Sequence, residues 1–375
     1  MSVPRGYFPS LDGLRALSIV PVVWHHSTPR PYSGWLGRGP IGVDLFFAIS
    51  GFLITTLLLR ERAARGRVDL KAFYVRRSCR IFPLYYLALA LHLLFASVIR
   101  PEWGPCRAFL QRWPAYATYT ANWLDPASVA GPVLFAFAWS LCIEEQFYAF
   151  WAPIVACIRS AWIPACLIGA WLLIDLALEF SNVHVLGASD ALGVRVLKSF
   201  ATPIGVGALL AMLGHYQGTA AWLRRLIDRR SASLVIGAFT LSLIAKPWAP
   251  VPILHFALGL LVFSCAVRRD HVLAPLLEHG VMRFVGRISY GIYLWHVPVI
   301  GAVRAVSPGM RANAGLVFAL ALPLSIAVAA ASYSILEQPC IQWGARLLKR
   351  KRDDAAAYDE NTSLASASTV SSSAQ

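Results

Sequence analysis

IGVDLFFAISGFLITTLLL, residues 41–59, is the stretch that decides the fold. It runs for nineteen residues with one ionisable side chain, Asp44, near its start. About 20 predominantly apolar residues in a helix cross the hydrocarbon core of a bilayer, and this run has that length. Nine further apolar runs, bounded by charge or by Pro and Gly, lie at about 11–28, 81–99, 134–157, 161–180, 199–214, 232–247, 251–267, 288–306 and 314–336. The 375 residues are 57% hydrophobic and 14% charged, with a mean hydropathy of +0.58. A soluble domain carries roughly 45–50% apolar and about 25% charged residues. The shortage of charge excludes a soluble surface of this size, and the composition also excludes a disordered chain, a collagen-like repeat and a small disulfide scaffold. The prediction is an all-α fold, a polytopic membrane helix bundle of about ten transmembrane helices. Ten spans occupy roughly half the chain at that length, which leaves little room for a second, soluble domain.

The net charge of +15 is explained by where it falls. Arg60, Arg62, Arg65, Arg67, Lys71, Arg76, Arg77 and Arg80 fill the connection between the second and third runs. Alternate connections after it carry Arg159, then Arg224, Arg225, Arg229 and Arg230, then Arg268, Arg269, Arg283 and Arg287. With Arg5, Arg15 and the basic residues from Arg346 to Arg352, 24 of the 34 Lys and Arg fall on one side. Basic connections stay in the cytoplasm, so the N- and C-termini are expected there, and nucleic acid is not an expected partner. The seventh and eighth runs, separated only by KPWAPVP (246–252), could merge into a re-entrant pair without moving the C-terminus to the other side. Residues 1–345 read as the transmembrane domain and 346–375 as a basic, then Ser/Ala-rich disordered tail. MSVPRGYF (1–8) lacks the features of a cleavable signal. The seven cysteines show no paired spacing and read as small apolar residues.

Ionisable groups inside spans are costly, and each is a functional candidate. Arg15 and His26 are eleven residues apart, which is about 1100° of helix and so one face, with about 16 Å between them along the axis. That spacing suits one long ligand touched at two depths. It equally fits an interfacial anchor and an outer-rim histidine. Asp44 starts the second span close in depth to His26, and Ser50–Gly51 follows further in, where a backbone or ligand can approach or two helices can pack. Arg77 and Arg80 lie one turn apart at the inner mouth of the third span; guanidinium forks suit phosphate oxygens, though a basic run there also serves topology. WSLCIEEQFY (139–148) buries two adjacent carboxylates, Glu144 and Glu145, about 100° apart on the helix. Glu145 could pair with an arginine or orient His26 as an imidazolium. His296 in SYGIYLWHVPV (289–299) reads as a packing residue or a lesser candidate. No Walker loop, glycine-rich nucleotide fingerprint, HExxH or GxSxG is present, and the remaining histidines have no ligand spacing, so no metal is expected.

Five strings in order resemble the membrane acyltransferase-3 family: LDGLRALSIVPVVWHH (11–26), GVDLFFAISGFLIT (42–55), FYVRRSCRIFPLYY (73–86), WSLCIEEQFY and SYGIYLWH. The resemblance runs from about residue 7 to 340. It implies an integral O-acyltransferase of the bacterial inner membrane, in the stand-alone form without an appended periplasmic domain. The acyl group, commonly acetyl, passes from cytoplasmic acyl-CoA to a hydroxyl of a glycan or lipid-linked sugar at the outer face. No permanent cofactor is implied; acetyl-CoA is a substrate. The family's Arg-x10-His pattern maps to Arg15 and His26, its FFxxSG pattern includes Ser50, and its RxxR maps to Arg77 and Arg80. His25 stands where the family more often has an apolar or aromatic residue. On this reading Arg15, Arg77 and Arg80, with Ser50 further in, hold the donor; His26 is the general base, oriented by Glu145 or Asp44; and Ser50 is a second-choice nucleophile. The other readings are a proton-coupled secondary transporter, a scaffold protein, and an acyltransferase whose acceptor is a small molecule such as a macrolide.

Overall fold

A computed structural model describes residues 6–28, 40–124, 132–160, 162–180, 193, 196, 201–216, 221–223, 225, 227–246, 248–306 and 313–350. Among them the chain is helical and contains no strand. Ten long helices coincide with the ten expected runs: α1 Pro9–Ser27, α2 Pro40–Arg65, α3 Leu70–Leu94, α4 Trp139–Cys157, α5 Trp162–Phe180, α6 Thr202–His215, α7 Ala232–Ala245, α8 Val251–Val267, α9 Ser289–Val306 and α10 Ala314–Ser332. Pro40–Arg65, Leu70–Ile99 and Ala314–Arg350 are long and apolar enough to cross a bilayer. Trp162–Ala177, Thr202–His215, Ala232–Ala245 and Val251–Val267 are shorter apolar helices. The chain is a helical membrane bundle. Arg5, Arg224, Lys351, Arg352 and the remainder of the tail lie outside the described residues.

Among the boundaries that differ from the hydropathy expectation, two matter to the site. α3 begins at Leu70, eleven residues before the apolar run, capped by the Asp69 side chain accepting from the Ala72 amide at 2.9 Å. The arginines of FYVRRSCR are therefore helical and continuous with the span. α10 does not end near 336. It passes through a π-helical turn, Tyr333–Glu337, and continues to Arg350. A π turn inserts one residue into the helical repeat and turns the following side chains to a new face.

One end of the bundle gathers the basic connections. Arg60 donates to the Gly6 carbonyl at 2.9 Å, and Arg62 donates to the carbonyls of Val155 in the last turn of α4 and of Ile158 just after it. Ser10 of α1 bonds both His271 (3.0 Å) and Glu278 (2.6 Å) of the α8–α9 connection. In the same connection Arg268, together with Arg230 from just before α7, holds the Asp270 carboxyl below its ordinary range by direct hydrogen bonds. At the opposite end Arg304 of α9 donates to the Ser27 carbonyl at 3.0 Å. Alternating helices thus run up and down between a basic end and an opposite end.

Glycines bring the central helices into backbone contact. A Cβ on Gly51 of α2 would lie 1.9 Å from the Ile204 carbonyl oxygen, and one on Gly207 of α6 would lie 2.2 Å from that of Ala48. Small residues let membrane helices approach this closely. A short helix, Gly280–Arg287, docks on the start of α1 in the same way: Gly286 meets the Asp12 carbonyl, and Gly13 meets Leu277.

The connection between α3 and α4 is not a simple surface loop. Its short helices Gly104–Leu110 and Trp113–Ala117 bury Cys106, Phe109 and Tyr116, and the Tyr85 hydroxyl of α3 donates to the Tyr116 carbonyl at 2.8 Å. Gln146 of α4 donates to the backbone carbonyl of Tyr119 (2.6 Å) and to the side-chain Oδ1 of Asn122 (2.9 Å). Tyr119 has φ 54°, an uncommon conformation for a bulky side chain, and stacks on Tyr85 with centroids 4.4 Å apart. This segment packs back into the bundle and closes the space between α3 and α4.

Candidate active site

The candidate residues assemble at two levels. Towards the basic end, α1 contributes Asp12 and Arg15, α3 contributes Arg77 and Arg80, α4 contributes Glu144, Glu145 and Tyr148, α2 contributes Ser50, and the π turn after α10 contributes Glu337. Arg15 pairs with Asp12 one turn earlier at 3.3 Å, and Asp12 also accepts from the Tyr7 hydroxyl. The Arg77 guanidinium lies 3.9 Å from the ring centroid of the buried Tyr148 and is within electrostatic reach of Glu145. Arg80 is half-buried and lies within electrostatic reach of Arg15, Arg77, Asp12 and Glu337. Glu337 is only 2% exposed, so a charged carboxylate there depends on a cation such as Arg80. Glu144 accepts from both Ser50 and Tyr148.

Three arginines therefore interleave with carboxylates, in depth rather than on a rim. Ser50 is the eleventh of the 26 residues of α2, and the Arg77–Tyr148–Glu144–Ser50 chain of contacts crosses from α3 through α4 to that level. Arg15 has the Asp12 carboxylate at 3.3 Å and Arg77 lies over the Tyr148 ring; a planar guanidinium fork suits phosphate or carboxylate oxygens.

At the opposite end of α1, one helical face and about 16 Å away from Arg15, stands His26. Its Nδ1 lies 3.0 Å from the Val22 carbonyl and 3.2 Å from Nε2 of His296 on α9. The two rings meet edge to face with centroids 4.7 Å apart. His296 is fully buried, and its own Nδ1 lies 2.6 Å from the Tyr293 carbonyl. Tyr293 bonds Ser140 and the Phe137 carbonyl, both at 2.6 Å, tying α9 to the start of α4. His25 meets His26 with ring centroids 5.2 Å apart.

The expected orienting carboxylates have other neighbours. Asp44 lies 3.5 Å from His255 of α8. Glu145 shares its field with Arg77 and Glu144. A side chain that does meet the His26 ring at hydrogen-bond distance is His296, which the sequence offered only as a lesser candidate. Glu337 had no signal in the hydropathy reading, which ended the last span at 336. Gln146, one residue beyond the paired glutamates, holds the α3–α4 segment rather than a ligand. Among the described residues, no group of three or more His, Cys, Asp or Glu is arranged to hold a metal ion.

Helix count, helix order and the two polar levels define a polytopic membrane protein with a cationic cluster and a histidine along one shaft. The profile of the acyltransferase-3 family, an acyltransferase domain, matches residues 8–334, and the chain belongs to that family. It is 26% identical over 360 residues to the peptidoglycan O-acetyltransferase OatA of Listeria monocytogenes serovar 1/2a, covering 89% of this chain and 56% of that protein. It is equally 26% identical over 360 residues to the O-acetyltransferase OatA of Staphylococcus aureus (strain NCTC 8325 / PS 47), covering 90% of this chain and 58% of the relative. The chain thus spans less than two thirds of the length of these relatives. No solved structure matches the chain.

Proposed function

We propose that the chain is a membrane O-acyltransferase that takes an acetyl group from acetyl-CoA at its basic, cytoplasmic end. It passes that group to a hydroxyl of a glycan or lipid-linked sugar at the opposite, outer face. The observation that carries this reading is the shared face of α1, with Arg15 of the cationic cluster at one level and His26 about 16 Å along the axis. Membership of the acyltransferase family supports the reaction class, and the peptidoglycan substrate in the printed name of the Listeria relative supports a glycan acceptor.

In this mechanism Arg15, Arg77 and Arg80 hold the phosphates of the donor, and the pantetheine arm runs along the bundle past Ser50. The thioester then lies near His26. His26 removes the proton of the acceptor hydroxyl as that oxygen attacks the thioester carbonyl carbon. Collapse of the tetrahedral intermediate breaks the C–S bond, and the proton passes from His26 to the leaving thiolate. The products are an ester and the free thiol of CoA.

Membranes containing the chain, supplied with radiolabelled acetyl-CoA, test the roles separately. His26→Gln is expected to lose label transfer to the glycan fraction by at least about 100-fold, the lower bound of what a positioned base contributes, while still binding acetyl-CoA. Arg15→Ala is expected to raise the apparent KM for acetyl-CoA with a smaller change in kcat. Near-normal turnover in His26→Gln, or an unchanged KM in Arg15→Ala, contradicts the respective assignment.

A further inference from the structure

We infer that His296 is a positioning residue that fixes the tautomer of His26, so that Nε2 of His26 is the nitrogen that accepts the proton. The inference rests on the reading of His26 as the general base and adds to it the group that directs that base.

The tautomers follow from which partners can only accept. A backbone carbonyl has no proton to give, so His296 Nδ1, 2.6 Å from the Tyr293 carbonyl, must carry the proton. In a neutral imidazole the other nitrogen is then an acceptor, and His296 Nε2 faces His26 Nδ1 at 3.2 Å. His26 Nδ1 also lies 3.0 Å from the Val22 carbonyl, again an acceptor only. Both contacts require the proton of His26 on Nδ1, shared between the two, and they put the lone pair on Nε2. The chain of bonds runs from the His26 ring through His296 to the backbone of α9.

The surroundings hold His296 in this orientation. It is fully buried, its ring packs against Phe137 with centroids 5.5 Å apart, and the adjacent Tyr293 is anchored to Ser140 and the Phe137 carbonyl. When Nε2 of His26 takes the hydroxyl proton, the ring becomes an imidazolium and its Nδ1–H bond to His296 becomes charge-assisted and stronger. His296 thus takes the orienting part that a carboxylate plays in many acyl-transfer sites, without adding a negative charge to an apolar site.

Two replacements and one spectrum test this. Glutamine at 296 retains an acceptor for His26 and a donor for Tyr293, whereas phenylalanine retains neither. In membranes supplied with radiolabelled acetyl-CoA, His296→Phe is expected to lower kcat by roughly 10- to 100-fold, part of what a positioned base contributes, with the KM for acetyl-CoA unchanged. His296→Gln is expected to recover most of that loss. Nitrogen-15 spectra of histidine-labelled protein in nanodiscs, with His26 assigned through His26→Gln, are expected to show Nδ1 protonated and Nε2 bare in the wild type. Wild-type kcat in His296→Phe, an equal loss in both replacements, or a proton on Nε2 in the wild type overturns the inference. Full activity in His26→Gln would instead remove the base role itself, and the wild-type spectrum reads the tautomer whether or not either replacement folds.

Discussion

Arg80 and Glu337 show what a sequence read by hydropathy can and cannot find. Arg80 stood out as part of a basic run beside an apolar span, whereas Glu337 sat just past the expected end of one and resembled a boundary residue. The helix carries on through the π turn Tyr333–Glu337, which turns this carboxylate inward to 2% exposure within the field of Arg80. If that field matters to folding, the losses of stability in Arg80→Ala and Glu337→Gln should be coupled, the double variant being less destabilised than the sum of the two. A double-mutant cycle on thermal unfolding in detergent measures that coupling; additive losses would separate the pair. The spacing of Arg15 and His26 was legible because both sit on one helix. The partner of His26 was not, because contact between α1 and α9 depends on tertiary packing that no local spacing encodes.

Elements were legible where hydropathy alone defines them, as all ten long helices illustrate. The segment 104–123 was not, because its helices are only five to seven residues long and are rich in Trp, Pro and Tyr. Too short to cross a bilayer, they carry no span signal and gain their place only by packing on α3 and Gln146. The α2–α6 contact rests on Gly51 and Gly207, where an added Cβ would meet a backbone carbonyl at 1.9 or 2.2 Å. Gly51→Ala should push the helices apart and lower stability by about 1–3 kcal/mol, read as a lower midpoint of thermal unfolding. An unchanged midpoint would mean that α2 and α6 separate freely. The basic-end joint of α1 has its own signature. Burial is the main cause that lowers the pKa of His271 from its usual value near 6.5, while Glu278 and Asp270 oppose it. The folded protein therefore binds a proton there less readily than the unfolded chain. This favours the fold above about pH 6.5, and the benefit is lost as pH falls towards the lowered pKa. The acid-induced drop in thermal stability should be smaller in His271→Gln than in the wild type. An equal drop in both would assign the acid sensitivity to other groups.

At the scale of the whole molecule, the sequence assigns 24 of 34 basic residues to one side, and the proposed orientation, with the arginine cluster open to the cytoplasm and His26 towards the outer face, follows from that bias. The low charge content seen first in the sequence is the other half of that arrangement. With so few ionisable groups, candidate residues inside the bundle fall at two levels along one shaft, one proposed for the donor and the other for the chemistry. Sealed proteoliposomes of the purified chain test this most directly. Their two faces can be supplied separately with radiolabelled acetyl-CoA and with a glycan acceptor. Ester label on the glycan is expected only when acetyl-CoA is on the basic-end side and the glycan is on the other, with no label in His26→Gln. Label formed with both substrates on the side opposite the basic end, or undiminished in His26→Gln, would contradict it.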